Sequence, residues 1–343
     1  MSLPQGAPAR KPRRLGLWAP FVLTLVAVVA LGVTWVDRKS RIERSMDAAR
    51  QRATSAGWTL TWERRSIHGF PFRLDVELDG VRVREPSGWG LAAAHLSAEA
   101  FVFSPTHWVA VAPTGVVIMR HRGGPIRVEA KALRASFSYA EASPPRISVE
   151  GLDMKFAALP ESVPFLLRTA HALHIHTKSG PDDQGAIYIE IDGATAEPDS
   201  LIGRLAAARQ SDFVFDGLFT RARSLHGPDQ PSAVRAWSAA GGRLTIRHLR
   251  VAAGQAELAA NAGEIGIGAD GRLTGSVNLV LHQAPKTLAA MALSGTLPPE
   301  TARAAGVVVS ARQQGRVTRL PLSFQAGRMT FGPVALGSSP RVY

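Results

Sequence analysis

The sequence predicts a mainly β body behind one N-terminal transmembrane helix. The expected architecture is an elongated, curved antiparallel meander sheet, a groove or half-barrel, with a few short helices. Three observations predict it. Past Trp58 the apolar residues recur with period two, as half-buried strands require. The 32 Gly and 23 Pro, against 7% aromatic residues, supply turns between many short elements. Residues 15–36 carry no charge at all.

That uncharged run, at ~1.5 Å per helical residue, reaches roughly 33 Å and so spans a hydrocarbon core of about 30 Å. Trp18 and Trp35 sit near its two ends, where indole rings favour the headgroup layer, and they are the expected membrane anchors. A cleaved signal peptide is the competing reading. Arg10, Lys11, Arg13 and Arg14 form a basic leader, and Val28-Val29-Ala30 passes as a cleavage site. The apolar run continues past Ala30 to Val36, which favours an uncleaved anchor. The expected organisation is a basic cytoplasmic tail (1–14), the spanning helix (15–36), a polar juxtamembrane helix (37–56) and a β-rich domain (57–343). Large following domains translocate largely regardless of charge, so the body is expected in the periplasm of a bacterium, with the anchor in the inner membrane.

In the body, Phe70, Phe72, Leu74, Val76 and Leu78 all fall on even positions, with charged residues between them. Asp79-Gly80 then reads as a two-residue hairpin turn, pairing Leu78 with Val81. Further strands are expected around 96–103, 109–119, 126–139, 147–156, 171–177, 186–192, 213–219, 271–281 and 306–312. Helices are expected over 199–209, with Asp199 as N-cap, over 232–240 and near 286–293. The phrase G-R-x-T recurs at Gly242, Gly271, Gly315 and Gly327, each time after a turn, and marks strand starts. Its spacing of 29, 44 and 12 residues is irregular, so it describes a meander of similar units and not a solenoid. Chance repetition in a chain rich in these residues remains open.

At Gly69-Phe70-Pro71-Phe72-Arg73, placed just after the anchor and before the alternating strand, the chain resembles an uncharacterised bacterial family, the domain of unknown function numbered 2125. That family carries no established activity, so the resemblance implies no catalytic residues. The segment from Gly242 to Leu336 also resembles, more distantly, the C-terminal region of AsmA-like envelope proteins. That likeness implies a curved sheet with a hydrophobic groove and a role with phospholipid.

Several chemistries are excluded or disfavoured. The chain has no Cys, which removes disulfides and thiolates. Its net charge is +13, but eight Lys/Arg against Asp37 and Glu43 lie within the first 44 residues. The body's Arg residues are scattered singly, so no nucleic-acid face is expected. Gly266, Gly268 and Gly271 match a dinucleotide fingerprint in spacing only, since a strand and no helix follows. His174 and His176 share a wet strand face opposite Leu173 and Ile175, a poor start for a metal site. No catalytic residue, metal or cofactor is expected.

The expected function is therefore non-enzymatic: the protein binds or hands over a lipid in a hydrophobic β-groove. The candidate lining is Phe70, Phe72, Leu74, Val76, Leu273, Val277 and Leu279. The bland alternative, that these residues only fill a closed sandwich core, stays open. Two further readings are an envelope scaffold recruiting protein partners and a hydrolase assembled from distant residues.

Overall fold

A computed structural model of the protein describes residues 15–312, 315 and 317–343, with side chains from residue 19 onward. The basic tail 1–14, the Trp18 side chain and Arg316 lie outside the described residues. One helix, α1 (Leu15–Ser55), contains both the apolar run and the polar segment after it. It is long and apolar enough to cross a membrane, and its most hydrophobic window is unburied by the rest of the fold.

All nineteen described strands belong to one sheet, and every pairing is antiparallel. The first row is broken into β1 (Thr59–Thr61) and β2 (Arg64–His68), both paired with β3 (Arg73–Arg84). β4 (Gly90–Phe101) follows. The next two rows are also broken, into β5 (Ser104–Val111) with β6 (Val116–Met119), then β7 (Ile126–Glu129) with β8 (Ala132–Ser138). Long strands β9 (Arg146–Ala158), β10 (Leu167–Ser179) and β11 (Gly185–Ala196) form the centre. After α2 (Leu201–Ala206) come β12 (Ser211–Phe219), α3 (Gln230–Ala239) and β13 (Leu244–Ala253). A broken row of β14 (Ala256–Ala260) and β15 (Gly263–Ile267) leads to β16 (Leu273–His282). Then α4 (Ala284–Leu293) and α5 (Pro299–Arg312) precede β17 (Val317–Gln325), β18 (Arg328–Phe331) and β19 (Val334–Ser338).

Directly opposed residues of an antiparallel ladder share a face, so the register can be followed across the sheet. From Ile67 it leads through Val76, Ala98, Ala110 and Ala135 to Val149. It continues through Ile175, Ile189, Phe215 and Leu249 to Ala260. Every member is apolar. One residue along, the row reads Arg134, Glu150, His174, Glu190, Val214, Arg250, which is a solvated face. Two packed clusters form on the sheet, one among β4 to β11 and one among β13 to β18 with α4 and α5. One lies around Ile126, Val128 and Met154, the other around Leu279, Leu288 and Val309. Val149, Ile175 and Ile189 belong to neither cluster and stay only half-buried.

Three expectations fail for identifiable reasons. Asp79-Gly80 makes no hairpin: β3 runs straight through, with Asp79 opposite His95 and Val81 opposite Ala93. Gly80 has φ +62°, and a Cβ there would lie 2.5 Å from the Glu63 side chain, so glycine serves a close approach and not a turn. The buried positions pass from even (Leu74, Val76) to odd (Val81) across it. The expected strand 306–312 is the second half of α5. Its Val307-Val308-Val309 run suggests a strand, but Pro299 and Glu300 start a helix, and Ala302, Ala305 and Val309 are buried with helical spacing. The N-cap of α2 is Ser200, whose hydroxyl accepts from Gly203 N at 3.1 Å, and not Asp199. In α3 the cap is Asp229; its bond from Ser232 holds the carboxyl below its ordinary range.

Phe70 and Phe72 share parity with Leu74 but not its environment. Leu74→Ala should cost about 2–5 kcal/mol, as cavity-forming core substitutions do. Phe72→Ala should stay within about 0.5 kcal/mol, the range of ordinary surface changes. Equal losses in denaturant unfolding of the full chain in detergent would contradict this placement.

Candidate functional site

The C-terminal rows carry the helices that the sheet's apolar face needs. α4 and α5 lie against β14 to β19 and α2 against β11 and β13, and α4 buries Ala284, Leu288 and Ala290. Beneath them is a cavity of about 270 Å³, lined almost wholly by carbon. The sheet supplies Val251, Leu258, Leu279, Leu281 and Leu322. The helices supply Leu201, Ile202 and Leu205 from α2 and Leu288 and Met291 from α4. Leu336 of β19 also lines it, five strand steps from Val251. At about 4.8 Å per step those residues would be roughly 24 Å apart in a flat sheet. The sheet therefore curls around this chamber.

A second hollow of about 560 Å³ opens beside it and shares the walls Leu205 and Ala256. Its chemistry is different, because Arg204, Arg209 and Lys286 line it, all exposed. Arg204 pairs with Asp199 at 3.0 Å, and Lys286 donates to Gln255 Oε1 at 3.1 Å. Gly254, with φ +62°, makes the junction possible: a Cβ there would lie 2.8 Å from the Leu205 carbonyl oxygen at the end of α2. An apolar chamber thus adjoins a basic vestibule. Close to the chamber, Thr318 stands opposite Leu281, is 1% exposed, and its hydroxyl has no partner among the described residues.

The seven expected lining residues separate into different places. Leu279 lines the chamber, and Val277 lies in the adjacent core at 5% exposure. Leu273 is half-buried at the start of β16, where its amide donates to Pro340 O, and does not reach the cavity. Leu74 and Val76 are fully buried in β3, far along the sheet. Phe70 and Phe72 are not in a strand at all; each is 55% exposed in the turn before β3. Trp35 is half-buried, donating to Arg73 O at 2.8 Å and meeting Phe70 edge-on at 5.8 Å. The chamber's helical walls were not foreseen as lining, although Leu201, Ile202 and Leu205, and Leu288 with Met291, carry the helical spacing that marks an apolar stripe.

A polar hollow of about 480 Å³ on the solvated face was also not foreseen. There Ser148 Oγ and His176 Nδ1 are 2.5 Å apart, and His176 stacks between His174 and Tyr188. Burial raises the Tyr188 pKa, and its bond to Glu190 at 3.0 Å raises it further. No carboxylate is bonded to His176 among the described residues, so nothing there orients the imidazole as a base. No group of three metal-ligating side chains occurs among the described residues. Gly266 to Gly271 form the end of β15 and a turn into β16, with no helix to receive a phosphate.

Residues 35–340 match a family described as uncharacterized proteins conserved in bacteria, DUF2125. No curated protein and no solved structure matches the chain.

The unpartnered Thr318 hydroxyl gives a direct check on the packing at the chamber. Replacing it by the isosteric Val removes a buried group that lacks a hydrogen bond, and should stabilise the chain by about 1 kcal/mol. A lower melting temperature for Thr318→Val would mean that the hydroxyl has a partner.

Proposed function

We propose a function for a chain that belongs to the DUF2125 family of bacterial proteins: it is a non-enzymatic, single-pass inner-membrane protein whose periplasmic sheet holds one anionic amphiphile, a phospholipid. The observation that carries this reading is the adjacency of the carbon-lined chamber to the vestibule of Arg204, Arg209 and Lys286. One acyl chain fills the first, and the phosphate sits among the cations of the second. Each methylene drawn from water into such a chamber contributes about 0.8 kcal/mol, and the basic rim selects the sign of the headgroup. The half-buried strip Val149, Ile175, Ile189 supports the same reading, since it extends apolar surface away from the chamber along the sheet. The long apolar α1 supports an anchor; within the first 44 residues Lys and Arg are equally many on the two sides of its uncharged run, so the body's place outside the cytoplasm rests on the readiness of large following domains to translocate regardless of charge.

Native mass spectrometry of the full chain released from anionic and zwitterionic micelles tests the reading. One bound phospholipid is expected, with phosphatidylglycerol preferred over phosphatidylcholine. Ala256→Phe, at the wall between the two hollows, should abolish retention. The exposed pair Arg209→Glu and Lys286→Glu should leave the fold intact and remove the preference for anionic lipid. Retention indifferent to all three substitutions would overturn the proposal.

Two other readings each have one observation behind them. Among the described residues β19 has no partner on its outer side, an edge that a protein strand can join. Crosslinking that returns stable protein partners and no lipid would favour such a scaffold. The Ser148 and His176 contact is the observation behind a hydrolase. A fluorophosphonate probe is expected to leave the chain unlabelled, and modification at Ser148 would reverse that conclusion.

A further inference from the structure

The chain displays large apolar side chains at one end of its first hairpins. Phe70 and Phe72, in the turn between β2 and β3, are each 55% exposed. Phe101 and Phe103, at the turn between β4 and β5, are 63% and 69% exposed. The two turns are joined, because Val102 N donates to Phe72 O at 2.9 Å. Single exposed apolar residues need no explanation, but four phenylalanines on two bonded turns form a patch, and such patches mark contact surfaces.

The position of this patch relative to α1 identifies what covers it. Trp35, next to the last residue of the uncharged run in α1, touches the patch through Phe70 and Arg73. From there α1 climbs beside β2: twelve residues on, Asp47 pairs with Arg65 at 2.9 Å. Twelve helical residues rise about 18 Å. Within β2 the three strand steps from Arg65 to His68 cover about 10 Å, and Gly69 leads on into the turn that carries Phe70. Helix and strand are therefore side by side, and the patch stands at the depth where the apolar run of α1 gives way to Asp37, Arg38 and Lys39. Lys39 lies over the Trp35 ring at 5.6 Å, a cation held at the same level. Trp with flanking Lys and Arg is the composition of a membrane–water boundary.

We propose that these two turns form a foot that rests in the outward-facing leaflet of the membrane α1 spans, with Phe70, Phe72, Phe101 and Phe103 among the lipid. The proposal rests on the reading of α1 as an uncleaved anchor. A protein partner is the less economical occupant, since the patch already lies against the bilayer boundary. A helix alone leaves the body free to tilt and rotate. A second point of insertion holds the β3–β4 end of the sheet against the bilayer at one orientation.

The absence of native Cys allows a clean test. Single variants Phe70→Cys, Phe72→Cys, Phe101→Cys and Phe103→Cys of the full chain are spin-labelled in nanodiscs of phosphatidylethanolamine and phosphatidylglycerol. Val29→Cys, well inside the apolar run, and Ser55→Cys, at the far end of α1, serve as references. The expected result is that all four labels are reached by dissolved oxygen and shielded from a water-soluble nickel chelate, more shallowly than Val29. Ser55 shows the reverse. If the four labels are as open to nickel as Ser55 while Val29 is shielded, the foot is wrong and the anchor stands. If Val29 is open to nickel too, the anchor reading falls and takes the foot with it.

Discussion

Pairing only between rows that follow one another along the chain is the constraint from which the rest of the structure follows. No described strand crosses over another, so each side chain's face is set by its parity and by the register of the strand before it. A chain of alternating residues laid down this way has one apolar face and one solvated face from Ile67 to Ala260. A globular protein buries such a face against a second layer. Here the second layer is incomplete. α4 and α5 reach only the C-terminal rows and α2 extends no further back than β11, while the central strands keep apolar residues such as Val149, Ile175 and Ile189 half-covered.

A sheet of this many rows twists, and without a matching layer it curls upon itself. Among the register irregularities, which bend a strand locally, are those in β11 near Ile191, in β12 near Asp216 and in β18 near Met329. The first two flank the half-covered strip, and the third lies beside the chamber. Curling brings β13 and β19 to one cavity, and the short α2 and α4 close it from above. Small residues set how closely: Ala290, Ala302 and Ala305 let α4 and α5 meet the sheet, while Gly254 lets the β13–β14 turn pass under α2.

Much of this was legible in the amino-acid order, because period two is a local signal. It located most of the strands, including the starts at Leu244, Leu273, Val317 and Arg328 after the repeated G-R-x-T words. It also placed His174 and His176 together on the wet face. What failed was non-local. Phe70 and Phe72 keep the parity of Leu74, and only the tertiary fold turns them outward at the foot of β3. Gly80 has the letters of a turn and the role of a close contact. Val307 to Val309 form a strand-like word inside a helix that starts eight residues earlier. Of the candidate site, Leu279 was legible as a residue on the apolar face. The chamber was not, because its helical walls come from Leu201, Leu288 and their neighbours, which no pattern within one strand connects to Leu279.

The central claim is that this apolar face retains a space its own residues do not fill. A high-resolution cryo-electron microscopy map of the full chain in lipid nanodiscs tests it most directly. The account predicts elongated density between α4 and β16, running from Leu279 past Ala256 toward Lys286. A chamber collapsed so that Met291 packs directly on Leu258, with no density and no room for any, would contradict it.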